Sequence, residues 1–483
     1  MSSTKEIVKF IGSQIDGKYE YATNQFGSAI LIDKREGLNP DAFLVKSQHF
    51  KKAVRKIAID DELPYSDKIF RQVQSNCIDQ AFLSDTTVDT YLRVAPLIDG
   101  AELDVGNVQN TRIRITPGKV ELLNSSSDVL FLRSPSMQPF ILPDLDSDIS
   151  LIFRYLNFDR TQSLLLIGWL SFVLSHAKED TTSFPILVLI ADQGSGKSFL
   201  SKVIIRSLTD PSMLGIQGFP NSKQDMLLAT QHAHVQIYDN LTYISRSWSN
   251  TLCIMATGGN VSGRKLYSDS EIVNHKLHGP VVLNGITNFI STSDLAQRCL
   301  TLELNPLTDR GRKSEKQLLK DFNHDLPSIF GGLCQLTADI LKVLPDVEVT
   351  HRERMLDFSY WLAALEQVMD LPKSQLQQAY HDLLTESQHD SVMGDPLALA
   401  VYQLVTKHNS NDTWTGTPSE LLEHLNTSMH IDHDFRSKSW PANAIALSKR
   451  LRTAKAALLS QQVEILFTRG KERRITITNL DAY

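Results

Sequence analysis

The sequence predicts an α/β core, preceded by an α+β segment and followed by a smaller helix-and-hairpin unit. Three observations carry that prediction. Short apolar runs at Ile186–Ile190, 235–238, 281–283 and 299–304 alternate with helical patterns, as buried parallel strands do. Before them, helical periodicity over 42–59 and 65–82 gives way to alternating runs at 88–94, 111–116, 120–123 and 129–133. Beyond Trp414 the order is helix, helix, then two strands around Arg469 and Gly470.

A chain of 483 residues is too long for one core. The expected division is an α+β domain over 1–147, the α/β domain over 148–345, a helical linker or lid over 346–406 and a last domain over 407–483. The Pro-, Ser- and Asp-rich stretch 134–147 reads as the first linker. At 42% hydrophobic and 22% charged residues the composition is that of an ordinary globular protein. Its net charge of −6 gives no global sign of nucleic-acid binding, so any such surface is local. Cys77, Cys253, Cys299 and Cys334 form no CxxC pair, which disfavours a zinc site or disulfide framework and fits a reducing cytoplasm. The N-terminus shows no signal peptide. The most apolar stretch, 164–174, is shorter than the roughly 20 residues a bilayer requires, so no membrane is expected.

The segment ADQGSGKS (191–198) joins an apolar strand directly to an amphipathic helix. It fits GxxxxGK[ST], the P-loop, with Ala191 in place of the first glycine. Gly194 and Gly196 let backbone N–H groups curl toward phosphate oxygens, and the helix start adds positive field. Gln193, Gly194, Ser195, Gly196, Lys197, Ser198 and Phe199 are the expected cradle for ATP. Lys197 is placed for the β- and γ-phosphates and Ser198 for Mg²⁺. A chance glycine-rich turn is disfavoured by the strand–loop–helix context.

Asp239 ends the 235–238 run and is the expected second Mg²⁺ residue, acting through water. Asn240 stands where many motors carry a glutamate; an amide orients water but cannot take its proton, so the catalytic base is left open. Asn284 ends the 281–283 run, suited to a polar group between nucleotide and water, or to capping a turn. Arg298 precedes 299–304, where it can reach a neighbouring subunit's γ-phosphate or pair with Glu303. Between these, 257–271 (TGGNVSGRKLYSDSE) reads as a hairpin with Arg264 and Lys265 at a basic tip.

The order P-loop, DN, GG…RxLYxD, LNG, SDLxxR resembles that of superfamily-three-like helicases. It is most similar to the poxvirus-type primase–helicase group and to the ATPases of plasmids, phages and chromosomal cassettes. The resemblance is close over 164–298 and looser to the C-terminus. It implies an AAA+-like P-loop NTPase core in a homo-oligomeric ring, commonly hexameric, that acts as a replicative DNA helicase or translocase of a mobile element. It implies Asn284 as sensor, Arg298 as a finger acting in trans, and Arg264 and Lys265 as contacts to single-stranded DNA in the ring channel. A primase or initiator is the protein partner it implies.

In the last domain, Thr417 before Pro418 with Glu420 has capping-box spacing. In the helix expected from 441 to about 459, Leu447, Leu451, Ala454 and Leu458 form a stripe, with Lys449 and Arg452 opposite and Arg450 and Lys455 on the flanks. The hairpin adds Arg469, Lys471, Arg473 and Arg474. Helix, helix and basic hairpin is the layout of a winged-helix domain. From 436 to 474 ten Lys and Arg stand against two Glu, a local surface for duplex phosphates or else a solvated face.

Three features point to less. The acidic run 144–148 (DLDSD) lies in polar linker, not at a strand end. His232/His234 and His275/His278 lack companion ligands. Lys51, Lys52, Arg55 and Lys56 read as a helix face. Two rivals stand beside the helicase reading: a nucleotide-gated DNA-binding or defence ATPase that assembles without unwinding, and a small-molecule phosphotransferase, which has no use for a basic tail.

Overall fold

The apolar runs lie side by side in one parallel sheet of the computed structural model. The structure describes residues 3–33, 35–179, 181–192, 194–264, 272–306, 314–406, 413–427, 440–469 and 472–480. Across the sheet the strands are Gln217–Gly218, Gln236–Leu241, Val281–Gly285, Ile186–Ile190 and Cys299–Glu303. All neighbouring pairs are parallel. The helix Arg160–Ser175 is buried from Ser163 onward, and Trp169 Nε1 donates to Pro185 O at 2.7 Å. That explains its apolar sequence: it packs against the helices Glu315–Val343 and Leu356–Val368 and shares one core with the sheet. Among the described residues no helix is long and apolar enough to cross a membrane.

The N-terminal region holds two four-stranded sheets. The first joins Asp41–Leu44, Ala29–Asp33, Tyr19–Asn24 and Thr87–Val88, with helices Thr4–Asp16, Gln48–Asp60 and Asp67–Leu83. The helix expected from 42 starts only at Gln48, because Ser47 caps it by accepting from Phe50 N–H and residues 41–44 pair as a strand. The second sheet is antiparallel: Val94–Leu97, Gly100–Asp104, Arg112–Thr116 and Lys119–Leu123. The run 129–133 makes only isolated bridges.

Packing does not break at residue 147. Leu103, Ile113 and Ile115 of the second sheet share one core with the parallel sheet. Within the expected linker, Phe140 stacks on Phe330 at 4.9 Å. Gly331 admits the Asp144 backbone, since a Cβ there would lie 1.8 Å from Asp144 O. Arg93 completes the joint. It is wholly buried, ion-pairs with Asp210 at 3.0 Å, donates to the carbonyls of Asp104, Gln138 and Pro211, and lies over the Phe140 ring.

The C-terminal unit has its own core. Leu421, Leu425, Leu447, Leu451 and Leu458 pack with Ile465 and Ile477, and Ala454 is partly buried against them. The helices Pro418–Thr427 and Ala444–Ser460 cover a three-stranded antiparallel sheet with Arg473–Asn479 between Thr413–Gly416 and Val463–Arg469. Thr417 and Glu420 exchange both bonds of a capping box. The helix Pro396–Thr406 also contributes to this core through Val401 and Leu404, so the unit begins earlier than the expected residue 407.

Candidate functional site

The loop after the Ile186–Ile190 strand turns through Gly194 (φ 83°) and Gly196 (φ 86°), a left-handed backbone that suits glycine. Ser195 is buried, its Oγ donating to Asp192 O at 2.7 Å. The helix beginning at Lys197 is wound as a π-helix over Leu200–Ile205 and continues to Thr209, a form frequent at functional sites. Lys197 is half-buried and its ammonium donates to Gly285 O, at the end of the neighbouring strand. Burial pushes its pKa down, and the charge of nearby Asp239 opposes that shift. Ser198 is exposed at the helix start. Gln193 lies outside the described residues, and Phe199 packs edge-on to Phe322.

The end of the Gln236–Leu241 strand explains the Asp-Asn pair. Pairing with Val281–Gly285 slips between Tyr238 and Leu241, a bulge of the kind found beside active sites. Asn240 takes φ 61°, exposed, while its N–H donates to Asp239 Oδ1 at 2.9 Å. Asparagine tolerates that backbone better than glutamate does. The residue type at 240 thus suits the turn.

Two expected site residues sit differently from their sequence reading. Asn284 is wholly buried, and both amide atoms are committed to Ser201 Oγ, at 3.0 and 3.2 Å. It braces the helix that carries Lys197. Arg298 is only 6% exposed and is held by Asp294 Oδ1 at 2.7 Å, with a further bond to Asp294 O; its partner is Asp294 and not Glu303. Arg354 shares the same carboxylate at 3.3 Å.

Gly259–Arg264 pairs antiparallel with Ile272–Leu277, Arg264 opposite Ile272. Residues 265–271, Lys265 among them, and the Arg264 side chain lie outside the described residues. On the C-terminal unit Lys449, Arg452, Arg473 and Arg474 are exposed, and Lys455 is partly so. Arg452 lies over the Phe467 ring. Arg450 differs: it ion-pairs with Asp395 at 2.8 Å, which ties the Ala444–Ser460 helix to the start of Pro396–Thr406. Lys471 and the Arg469 side chain lie outside the described residues.

Sequence reading missed Asn157, whose Nδ2 donates to Ser195 O at 3.2 Å and steadies the loop from a distant segment. It also missed Ser201 and Arg354, which fall in no motif, and gave no role to Asp294, the acid of SDLxxR. Arg154, Tyr155, Lys320, Asp321, His324 and Asp325 line a cleft of about 550 Å³. The remaining features have structural roles. Asp144 accepts from Ser147, and Asp148 caps the short helix Ile149–Arg154. His234 and His278 are buried, bonded to the carbonyls of Val173 and Thr182. Lys51, Lys52, Arg55 and Lys56 lie along the helix Gln48–Asp60.

The comparisons with known proteins bear on both halves of this arrangement. The family model for the actinomycete integrative conjugative element replication protein matches residues 149–388, and that for the AICE RepA C-terminal domain matches 397–482. Together they cover about two thirds of the chain. No curated protein matches it. Two solved structures of the NrS-1 C-terminal region, both of the A form without ligand, align over 98% of this chain at 10% identity. They are covered over 98% and 99% of their own length, with TM-scores of 0.40 and 0.38, a likeness too slight to bear on fold or function.

Proposed function

We propose that this chain, which belongs to the replication-protein family of actinomycete integrative conjugative elements, is an AAA+-type P-loop ATPase that moves on DNA when such an element replicates. One observation carries the reading: the loop 191–198, Asp239 and the Lys197–Gly285 contact converge at the carboxyl ends of three adjacent parallel strands. The chain leaves Ile186–Ile190 for the far edge of the sheet, returns, and then adds Cys299–Glu303 on the other side. Ligands of open parallel sheets bind at such a reversal of strand order.

The residues fit a nucleoside triphosphate with Mg²⁺. Gly194 and Gly196 supply the left-handed turns of a phosphate nest, and Lys197 can exchange the Gly285 carbonyl for phosphate oxygens. Ser198 and Asp239 would hold Mg²⁺, which when bound neutralises phosphate charge. Asn284 positions this helix through Ser201. Arg298 would act in trans only after leaving Asp294, so a ring of subunits and release of that latch go together. The exposed Lys449, Arg452, Arg473 and Arg474 offer a surface for duplex phosphates.

A second reading is favoured by Asn240: an amide in a turn cannot serve as general base, as befits a nucleotide-gated switch that assembles on DNA without unwinding it. The experiment that tests the proposal is oligomeric state with and without ATP and single-stranded DNA, for wild type and Arg298→Ala. Rings that form with ATP in wild type, with turnover lost but nucleotide still bound in Arg298→Ala, support it. A monomer under all conditions with full turnover in the variant overturns it.

A further inference from the structure

Between the helices Glu315–Val343 and Leu356–Val368, the chain brings His351 and Glu353 against His381 of the helix Gln375–Met393. One ligand-capable atom from each of the three lies within 4.8 Å of the others. His381 Nδ1 and Glu353 Oε1 are 2.7 Å apart, and the two imidazole rings stack with centroids 4.5 Å apart. All three side chains are partly exposed, so an ion can enter from solvent.

The neighbours prepare one of these ligands. Gln378 donates its amide nitrogen to Asp382 at 2.8 Å, which turns its carbonyl oxygen toward His351 Nε2 at 2.9 Å. A carbonyl only accepts, so Nε2 carries the proton and Nδ1 keeps a lone pair. Metal-binding histidines are typically oriented through the other ring nitrogen in this way. Two imidazoles and one carboxylate match the ligand preference of zinc-like divalent ions, whereas Mg²⁺ prefers an all-oxygen shell.

We propose that His351, Glu353 and His381 form a site for a divalent transition-metal ion of the zinc type. The ion takes the place of the His381–Glu353 hydrogen bond: His381 ligates as a neutral imidazole through Nδ1, with its ring proton on Nε2 after exchange with solvent. Tetrahedral ligands about 2.0–2.1 Å from zinc lie roughly 3.3 Å apart, so His381 and Glu353 part slightly from their 2.7 Å contact to admit the ion. Arg354 follows Glu353 directly and shares Asp294 with Arg298, so a bound ion would fix the segment that carries this second arginine. The proposal stands independently of any nucleotide bound at the loop 191–198.

The test is titration of the chelator-stripped full chain with Zn²⁺, in excess Mg²⁺ and without nucleotide, against a chromophoric competitor. Wild type is expected to bind one ion per chain at this site, with Co²⁺ giving visible absorption in its place. His381→Ala and His351→Gln each abolish that binding while circular dichroism shows an intact fold. Gln378→Leu weakens it roughly 10-fold or more, and His232→Ala, at an exposed histidine elsewhere, leaves it unchanged. Absence of saturable binding, or binding in folded His351→Gln and His381→Ala equal to wild type, overturns the site.

Discussion

Asp294 holds Arg298 from one helical turn away, with 2.7 Å between carboxylate and guanidinium, and Arg354 rests on the same carboxylate. Arg298 Nε has no hydrogen-bond partner among the described residues, so the guanidinium is latched without being fully satisfied. A finger stored in this state is available only when something better replaces Asp294. Arg298→Ala is therefore expected to lower turnover by roughly 10³-fold or more while nucleotide affinity stays within a few-fold. Single-turnover kinetics with equilibrium nucleotide binding checks both parts, and unchanged turnover removes Arg298 from the site.

The basic C-terminal face makes a prediction that separates its arginines. Lys449→Glu/Arg452→Glu is expected to weaken DNA binding irrespective of sequence and to reduce the salt slope by about 2. Arg450→Ala is expected to lose stability more than affinity, because Asp395 already neutralises that charge. Fluorescence anisotropy across a salt series measures the first and denaturant unfolding the second. Equal losses of affinity from all three positions would show that the Asp395 pair does not matter.

How much of this was legible in the sequence depends on where the determining contacts lie. The glycine loop, its strand and helix, and the capping box at Thr417 are contiguous, and they form where the sequence placed them. The Gly100–Asp104 strand was hidden because Glu102 and Asp104, both wholly buried, read as surface residues until Arg114, Arg112 and Arg133 are brought beside them by the fold. The same holds for Asn157 against the loop and for Arg354 beside Asp294, whose partners are set by tertiary packing. Asn240 is the instructive case, since the residue that departs from the motif stands at a left-handed backbone position that favours asparagine.

Arg93 joins the second N-terminal sheet to the parallel sheet by pairing with Asp210, both wholly enclosed. Burial opposes the charge on Asp210, but Arg93 and Arg206 outweigh it and hold the carboxyl below the usual carboxylate range. Arg93→Met leaves that carboxylate short of a partner and is expected to cost about 3–5 kcal/mol. Urea unfolding measures it, and a loss below about 1 kcal/mol would contradict the joint.

Acid should loosen the same region. Burial pushes the His234 pKa down to about 3, with Lys178 adding to the shift, and pushes the His176 pKa down to about 4. Unfolded histidine takes its proton near 6.5, so the unfolded chain binds more protons than the folded one below that pH. Stability from both rings is complete above about 6.5 and declines as pH falls toward 4 and 3, by roughly 1.4 kcal/mol per pH unit for each ring. Unfolding free energies at pH 7.5 and 5.5 should show this slope, reduced in His176→Leu; a flat profile would mean the rings are protonated in the fold.

Strand separation on a forked duplex with ATP and Mg²⁺, for wild type and Lys197→Ala, tests most directly whether nucleotide chemistry at the loop 191–198 drives movement on DNA. Displacement by wild type and none by a folded Lys197→Ala is the predicted result. ATP-dependent assembly of wild type on the fork without any displacement would contradict it.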